Sequence, residues 1–367
     1  MAGPKPVPGI LDIAPYVGGD SSVEGLSRAI KLSSNEAATG ASPRAVAALT
    51  EAGQTIHRYP DGGANELRVA LAEMHGLNRD GVICANGSDE IISYLCHAYA
   101  GPGDDVVFSE HGFLMYPLSA MACGARPIKA PESEFTASVD SVLSTVTDRT
   151  KIVFLANPNN PTGTYLPVDE VRRLRAGLAP EILLVIDCAY AEFVGRNDYS
   201  TCVDLVESHD NVVMTRTFSK IYGLAALRLG WAYCPEEIAG VFHRVRPPFN
   251  VNAAAQAAGV AALLDIAHTD RARAHNDRWL PWLSEEFGKL GLPVIPSVAN
   301  FVTVRFDPDG PGSADKALAF LNGKGILPRG IAPYGLADHL RFTVGLEEEN
   351  RAAVAAVAEF LGTRDGG

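Results

Sequence analysis

The 367-residue chain lacks several features that define whole classes of proteins. Acidic residues outnumber basic ones and the net charge is −12, which excludes a basic nucleic-acid-binding surface spread over the chain. No apolar run approaches the roughly 18 residues of a membrane-spanning helix. The nearest, from Ala253 to Leu264, is interrupted by Gln256 and Gly259. We therefore expect no nucleic-acid partner and no membrane span.

Patterns typical of disulfides, metal sites and secretion are also missing. The six cysteines form no Cys-x-x-Cys pair, and the nine histidines include no His-Glu-x-x-His arrangement. Several prolines in the first 15 residues interrupt the apolar stretch that a signal peptide would need. We expect reduced cysteines, no bound metal and a cytoplasmic location.

The composition and length predict a folded protein of two domains. Hydrophobic residues make up 47% of the chain and charged residues 20%, which is enough for a large core. From about residue 42, helical patterns alternate with short apolar runs, and this alternation predicts an α/β fold with a mainly parallel sheet covered by helices on both faces. We assign residues 42–248 to this large domain. Residues 1–41 form a segment that joins the small domain, and residues 249–367 form inter-domain helices and a small α+β domain.

Local signals place the elements of both domains. Ser42 and Pro43 open a first helix as cap and first helical residue. We predict buried parallel strands at 152–156, 182–186 and 211–215, and a strand at 81–86 followed by a helix that opens at Ser88. Pro281 should kink or divide the helical stretch at 270–290. The remaining predicted elements are helices at 65–75 and after Pro235, strands at 300–306 and 340–344, and helices at 313–322 and 347–361.

Polar residues follow three of the predicted strands. The stretches 157–163, 187–190 and 217–220 each come directly after a buried apolar run. Ligands of an open parallel sheet bind outside the carboxyl ends of its strands, so one pocket could receive all three stretches. Each stretch taken alone is also typical of a turn or a helix cap. Their joint placement favours a binding site.

Two charged residues in these stretches indicate a specific chemistry. Asp187 ends an aliphatic run, where a carboxylate needs a cationic partner such as a protonated heterocyclic nitrogen. Lys220 could hold the same ligand covalently as a Schiff base, although a lone lysine at a strand end is usually a solvated residue. Ser219 and Arg228 could reach a phosphate, and the amides at Gly87, Ser88 and Asp89 form a second anion-binding end.

With these residues the chain resembles pyridoxal-phosphate-dependent aminotransferases of fold type I, and within them the histidinol-phosphate aminotransferases. The resemblance runs from about residue 10 to residue 361. It rests on motifs spread along the chain, namely 13–16, 58–60, 86–90, Tyr116, 157–163, 187–190, 217–220, Arg228, 248–252 and 340–345. It implies a large cofactor-binding domain, a smaller α+β domain, and pyridoxal 5'-phosphate as cofactor.

The resemblance also implies a role for each matching residue. Lys220 would be the Schiff-base lysine, Asp187 the partner of the pyridine nitrogen, and Asn160 and Tyr190 would hydrogen-bond the phenolic oxygen, with Tyr190 counted among the catalytic residues. Tyr116 would stack on the cofactor ring. The phosphate would be surrounded by Gly87, Ser88, Asp89, Thr217, Ser219 and Arg228, together with Tyr59 from the partner subunit of a homodimer.

Substrate residues follow from the same resemblance. Arg341 would bind the carboxylate of the amino donor glutamate, with 2-oxoglutarate as the product, or the phosphate of histidinol phosphate, since a guanidinium suits either anion. Asn160, Arg329 and Tyr16 would complete this pocket. The segment from Lys31 to Glu36 normally borders the substrate pocket in these enzymes. The chain departs from the family just after it, at Ala37 and Ala38, where Asn-Pro usually follows the Asn-Glu pair.

Other functions stay open at this point. An aromatic amino-acid aminotransferase would use the same catalytic residues, and a phosphothreonine decarboxylase also resembles this group. A catalytically idle cofactor-binding regulator would need an attached DNA-binding module, for which the chain has no room. A nicotinamide dehydrogenase is disfavoured because no Gly-x-Gly-x-x-Gly follows an early strand.

Overall fold

The computed structural model describes residues 3–6, 9–15, 18, 29–308 and 312–362. The strands are β1 (Ile30–Lys31), β2 (Val82–Ala85), β3 (Asp105–Ser109), β4 (Arg126–Ala130), β5 (Glu132–Ser133), β6 (Thr136–Ala137), β7 (Thr150–Ala156), β8 (Leu183–Asp187), β9 (Val212–Thr217), β10 (Gly230–Tyr233), β11 (Val294–Ile295), β12 (Phe301–Arg305), β13 (Ile326–Leu327), β14 (Arg329–Ile331) and β15 (Leu336–Thr343). The helices are α1 (Pro43–Ala52), α2 (Asn65–His75), α3 (Ser88–Tyr99), α4 (Met115–Ala122), α5 (Val139–Thr145), α6 (Val168–Gly177), α7 (Val203–Ser208), α8 (Glu236–Val245), α9 (Ala253–Leu263), α10 (Ile266–Lys289), α11 (Ala314–Gly323) and α12 (Glu347–Gly362).

A seven-stranded sheet forms the centre of the large domain, in the order β2-β10-β9-β8-β7-β3-β4. The three predicted strands are β7, β8 and β9, and they pair in parallel as expected. β10 runs antiparallel between β9 and β2. Buried apolar residues pack on both faces of the sheet, so the prediction of a mainly parallel sheet between helices is confirmed.

The second domain is built on a four-stranded antiparallel sheet, in the order β11-β12-β15-β14. Its core contains Trp279, Leu283 and Phe287 of α10, together with residues of α11 and α12. From the other end of the chain, β1 pairs in parallel with β13. The segment before residue 42 therefore contacts the small domain.

Two details of the helices differ from the expectations. Pro281 does not divide its helix, because α10 continues from Ile266 to Lys289. Buried side chains before and after the proline pack into the small-domain core, and this packing offsets the lost backbone hydrogen bond. α9 packs against α1 in the core of the large domain, whereas the sequence placed it among the inter-domain helices.

Candidate active site

A cavity of about 260 Å³ lies at the carboxyl ends of the central parallel strands. Parallel pairing aligns Ala156 with Asp187 and Asp187 with Thr215, so the polar stretches that follow these strands meet at one edge of the sheet. The predicted site residues that line the cavity are Ser88, Asp89, Tyr116, Asn160, Asp187, Tyr190, Thr217, Ser219, Lys220, Arg228, Arg329 and Arg341.

Asp187 is the last residue of β8 and is only 5% exposed. Its Oδ2 accepts a hydrogen bond of 2.8 Å from the Tyr116 hydroxyl, whereas its buried Oδ1 has no hydrogen-bond partner among the described residues. Burial raises the pKa of Asp187 to about 6, and the bond from Tyr116 opposes this shift. A buried acceptor beside a cavity fits the protonated ring nitrogen of pyridoxal phosphate.

Lys220 lies in the connection between β9 and β10. Its Nζ donates a hydrogen bond of 3.1 Å to the Ser34 carbonyl and lies 5.7 Å from the centre of the Tyr190 ring. Burial lowers the pKa of Lys220 to about 8, with a further contribution from the positive charge of Arg341. The amine is therefore more often neutral, and hence nucleophilic, than a solvated lysine.

One end of the cavity is built to receive an anion. The helix α3 begins at Ser88, and its first turn presents backbone N–H groups that an anion can accept from. Arg228 donates to Asp89 Oδ2 at 3.2 Å and to Ser219 Oγ at 3.3 Å. Gly230 of β10 lies so close to this turn that a Cβ there would contact the Ser88 nitrogen. These groups fit the phosphate of the cofactor.

Arginines of the small domain line the cavity as well. Arg341 of β15 is 5% exposed, donates to Asn160 Oδ1 through Nη1, and donates to the Ser33 carbonyl through Nη2 at 2.7 Å. Arg329 of β14 is its partner in the strand register. Both side chains therefore bring positive charge to the cavity from the second sheet, as a binder of a carboxylate or phosphate requires.

The ring of Tyr116, which was predicted to stack on the cofactor, already stacks on another side chain. Its ring is fully buried and stacks on Phe154, with 4.5 Å between centroids and 4° between planes. Phe113 lies edge-on to Tyr116 at 5.8 Å and also lines the cavity. Stacking of Tyr116 on the cofactor stays a prediction, and Phe113 is a second aromatic side chain at the same wall.

Two of the predicted residues that the structure describes lie outside the lining of the cavity. Tyr59 is 83% exposed and stacks on Phe249, with 4.6 Å between centroids. Gly87 caps the start of α3 at φ +89°. Tyr16 lies outside the described residues. The assignments of these three residues are therefore predictions still.

Some lining residues received no role from the sequence. Phe113 follows β3, a strand that was not predicted, and Tyr334 lies beside β14 in the small domain. The stretch from Ser33 to Glu36 was recognised only as bordering the pocket. Its backbone contacts to Lys220 and Arg341 connect positions about 190 and 310 residues further along the chain, so no local pattern indicates them.

The described part of the chain contains neither a membrane-spanning helix nor a metal-binding cluster. No helix there is both long enough and apolar enough to cross a bilayer. Within the same residues, no group of three His, Cys, Asp or Glu side chains is placed to hold a metal ion. All six cysteines are free thiols.

Comparison with known proteins gives full-length matches. Residues 27–357 match the family model "Aminotransferase class I and II". The chain is 59% identical to a histidinol-phosphate aminotransferase of Paramagnetospirillum magneticum over 99% of this chain and 100% of that protein, and 54% identical to one of Rhodospirillum centenum over 98% and 99%. The crystal structure of histidinol-phosphate aminotransferase from Sinorhizobium meliloti in complex with pyridoxal-5'-phosphate is similar at 26% identity, with a TM-score of 0.88 and 99% coverage of both chains.

Proposed function

Because the chain belongs to the aminotransferase class I and II family, we propose that it moves an amino group from glutamate to imidazole acetol phosphate, yielding histidinol phosphate and 2-oxoglutarate. The cofactor is pyridoxal 5'-phosphate. The observation that carries the chemistry is that Lys220 and the buried carboxylate of Asp187 line one cavity. The names of the full-length relatives support the choice of substrate.

The residues of the cavity divide the binding of the cofactor among them. Asp187 would hold the proton on the pyridine nitrogen, and Asn160 and Tyr190 would face the phenolic oxygen. The first turn of α3, Ser219 and Arg228 would bind the phosphate. When bound, pyridoxal phosphate supplies a carbonyl carbon that takes the amino group and a ring that accepts electron density from the substrate.

Lys220 performs the proton transfers. The lowered pKa of Lys220 makes the neutral amine available near neutral pH. Nζ can therefore remove the proton from the α carbon of the amino donor and deliver a proton to the carbon of the cofactor that takes the amino group. Asp187 contributes by keeping its negative charge beside the ring nitrogen in a site shielded from water. Arg341 orients the substrate by binding its carboxylate or phosphate.

The test of this proposal follows the visible absorbance of the holoenzyme while an amino donor is added without any keto acid. Histidinol phosphate should convert the cofactor to its amino form at far lower concentration than phenylalanine does. Preference for phenylalanine would instead indicate an aromatic aminotransferase. Release of an amine without consumption of a keto acid would indicate a decarboxylase, and a protein with no visible band would contradict the cofactor-based function.

We also propose a homodimer in which Tyr59 reaches the cofactor phosphate of the partner subunit. Tyr59 and Ile56 are 83% and 78% exposed, and Tyr59 stacks on Phe249, which is itself exposed. A second copy of the chain would cover exposed apolar side chains such as these. In this arrangement Tyr59 would contact the phosphate bound in the cavity of the partner subunit and not in the cavity of its own chain.

Mixed subunits test this arrangement. Lys220→Ala and Tyr59→Ala subunits, each of low activity alone, should recover activity when they are unfolded together and refolded, because one site of the mixed dimer then has both residues intact. A monomer in sedimentation analysis, or a mixture no more active than its parts, would contradict the proposal.

The cytoplasmic location is a proposal too, which the six free thiols support.

A further inference from the structure

One short stretch of the N-terminal segment contacts three functional side chains. The carbonyl of Ser33 accepts a hydrogen bond from Arg341, the carbonyl of Ser34 accepts one from Lys220, and the Asn35 side chain donates one of 2.9 Å to the Tyr190 hydroxyl. The first two contacts use backbone atoms. The third contact uses the side chain of Asn35, so a substitution at this position changes the contact directly.

The small domain holds Asn35 in place. Asn35 is 1% exposed and adopts a left-handed backbone conformation with φ +53°, which asparagine tolerates better than most residues. Its N–H donates to Thr343 Oγ1 at 2.9 Å, and its carbonyl accepts from Asn300 at 3.1 Å. The amide that reaches Tyr190 is therefore oriented by β15 and by the residue before β12.

The bond from Asn35 decides where the Tyr190 proton points. A tyrosine hydroxyl has one hydrogen to donate and lone pairs to accept with. Since Asn35 Nδ2 donates to the oxygen, the hydroxyl hydrogen is left for another acceptor, and no described residue accepts it. Tyr190 lines the cavity, so the hydrogen is available to a ligand there.

We propose that Asn35 is a positioning residue that turns the Tyr190 hydroxyl into a hydrogen-bond donor toward the phenolic oxygen of the cofactor. This inference rests on the proposed function. With the cofactor bound, a hydroxyl that donates to this oxygen would withdraw negative charge from it, and the less negative oxygen would stabilise a proton on the Lys220 nitrogen less well. Asn35 thereby lowers the pH at which the visible absorbance of the holoenzyme titrates.

Two substitutions separate the amide from the backbone conformation. Asn35→Gly keeps the left-handed conformation and removes the amide, which leaves the Tyr190 hydroxyl free to rotate. Asn35→Asp keeps the shape but replaces the donor with a carboxylate, so the hydroxyl donates to residue 35 and turns away from the cofactor. Tyr190→Phe removes the hydroxyl altogether. Asn252→Asp is the control, since it adds the same charge at the cap of α9, where aspartate caps equally well.

The measurement is a pH titration of the visible absorbance of each holoenzyme without substrate. We expect the midpoint to rise by about half a pH unit in Asn35→Gly and by about one unit or more in Asn35→Asp, near the value of Tyr190→Phe. The double variant Asn35→Asp/Tyr190→Phe should titrate like Tyr190→Phe alone, and Asn252→Asp like the parent. If the Asn35 variants do not fold, Thr343→Val replaces them. It removes the hydroxyl that accepts from the Asn35 N–H, and we expect its midpoint to rise as in Asn35→Gly.

The outcomes distinguish this inference from the proposed function. The inference is overturned if the parent holoenzyme transaminates and titrates but Asn35→Asp titrates at the same midpoint as the parent. The proposed function would then still hold. Shifts that add in the double variant also overturn it, because the two residues would then act independently. A parent protein without a visible band contradicts the proposed function itself.

Discussion

Arg329 and Arg341 lie directly opposite each other across the antiparallel strands β14 and β15. Residues opposite each other in such a pair present their side chains on the same face of the sheet, and two like charges in this arrangement destabilise it. Both side chains line the cavity. A bound phosphate or carboxylate would offset the repulsion, so the strand register itself favours an anion at this position.

Replacement of Arg329 should therefore weaken the binding of a phosphorylated substrate. For Arg329→Gln we expect KM for histidinol phosphate to rise about ten- to a hundred-fold, because one hydrogen bond to a charged group is lost. The visible spectrum should not change. Arg305→Gln is the matched control, since Arg305 lies in the same sheet, on β12, but pairs with Asp338 at an exposed position. Equal KM values for the two variants would contradict the role of Arg329.

Asp187 should reduce the stability of the cofactor-free protein above pH 6. Burial raises the pKa of this carboxyl from 3.8 to about 6, so the folded state binds more protons than the unfolded state in this range, and stability falls as the pH rises through it. Asp187→Asn should therefore gain stability relative to the parent, on the order of 3 kcal/mol at pH 8 and much less at pH 4. Urea unfolding of both cofactor-free proteins at the two pH values measures this. The same variant should bind pyridoxal phosphate poorly, and a pH-independent difference would refute the assignment.

Lys220 should control the pH dependence of cofactor capture. Only the neutral amine attacks an aldehyde, and the pKa of Lys220 is lowered to about 8. Mixing cofactor-free protein with pyridoxal phosphate should give a rate of absorbance change that rises with pH and levels off above a midpoint near 8. A midpoint near the ordinary lysine value of about 10.5 would be inconsistent with the buried amine. Lys220→Ala should show no covalent capture at any pH.

Gly230 should be intolerant of a side chain. A Cβ at this position would contact the Ser88 nitrogen and lie 2.6 Å from the carbonyl carbon of Gly87, both of which are backbone atoms. Gly230→Ala must therefore displace the start of α3, with an expected loss of about 1–3 kcal/mol in stability and weaker binding of the cofactor. Gly288→Ala, inside α10, should instead stabilise by about 0.5–1 kcal/mol, because a Cβ there would meet none of the described residues outside its own stretch of helix. Thermal unfolding and cofactor titration of both variants provide the comparison.

The parts of the site that follow strands could be predicted from the sequence. Asp187 and Lys220 stand at or just beyond the ends of β8 and β9, and both strands are plain aliphatic runs. Parallel pairing then brings such ends together without any further information. The same reasoning places Asn160 after β7.

Contacts between distant segments could not be predicted in this way. β10 reads Gly-Trp-Ala-Tyr, which lacks an aliphatic run, and its reversed direction depends on pairing with β2 and β9. Asn35 and Tyr190 are 155 residues apart. The helix α10 continues through Pro281 because its side chains pack in the core of the small domain. The sequence around the proline does not predict this packing. Tertiary contacts decide each of these cases.

The proposed attachment point of the cofactor, Lys220, and the proposed anion receptor, Arg341, belong to different sheets. Lys220 is carried by the large sheet, and Arg341 by β15 of the small one. In glutamate the α-carboxylate carbon is bonded directly to the reacting carbon, whereas in histidinol phosphate the phosphorus lies three bonds away. Structures of the enzyme with each ligand should therefore differ in the angle between the sheets. If the two sheets do move in this way, the distance between Lys220 and Arg341 would differ between the two half-reactions.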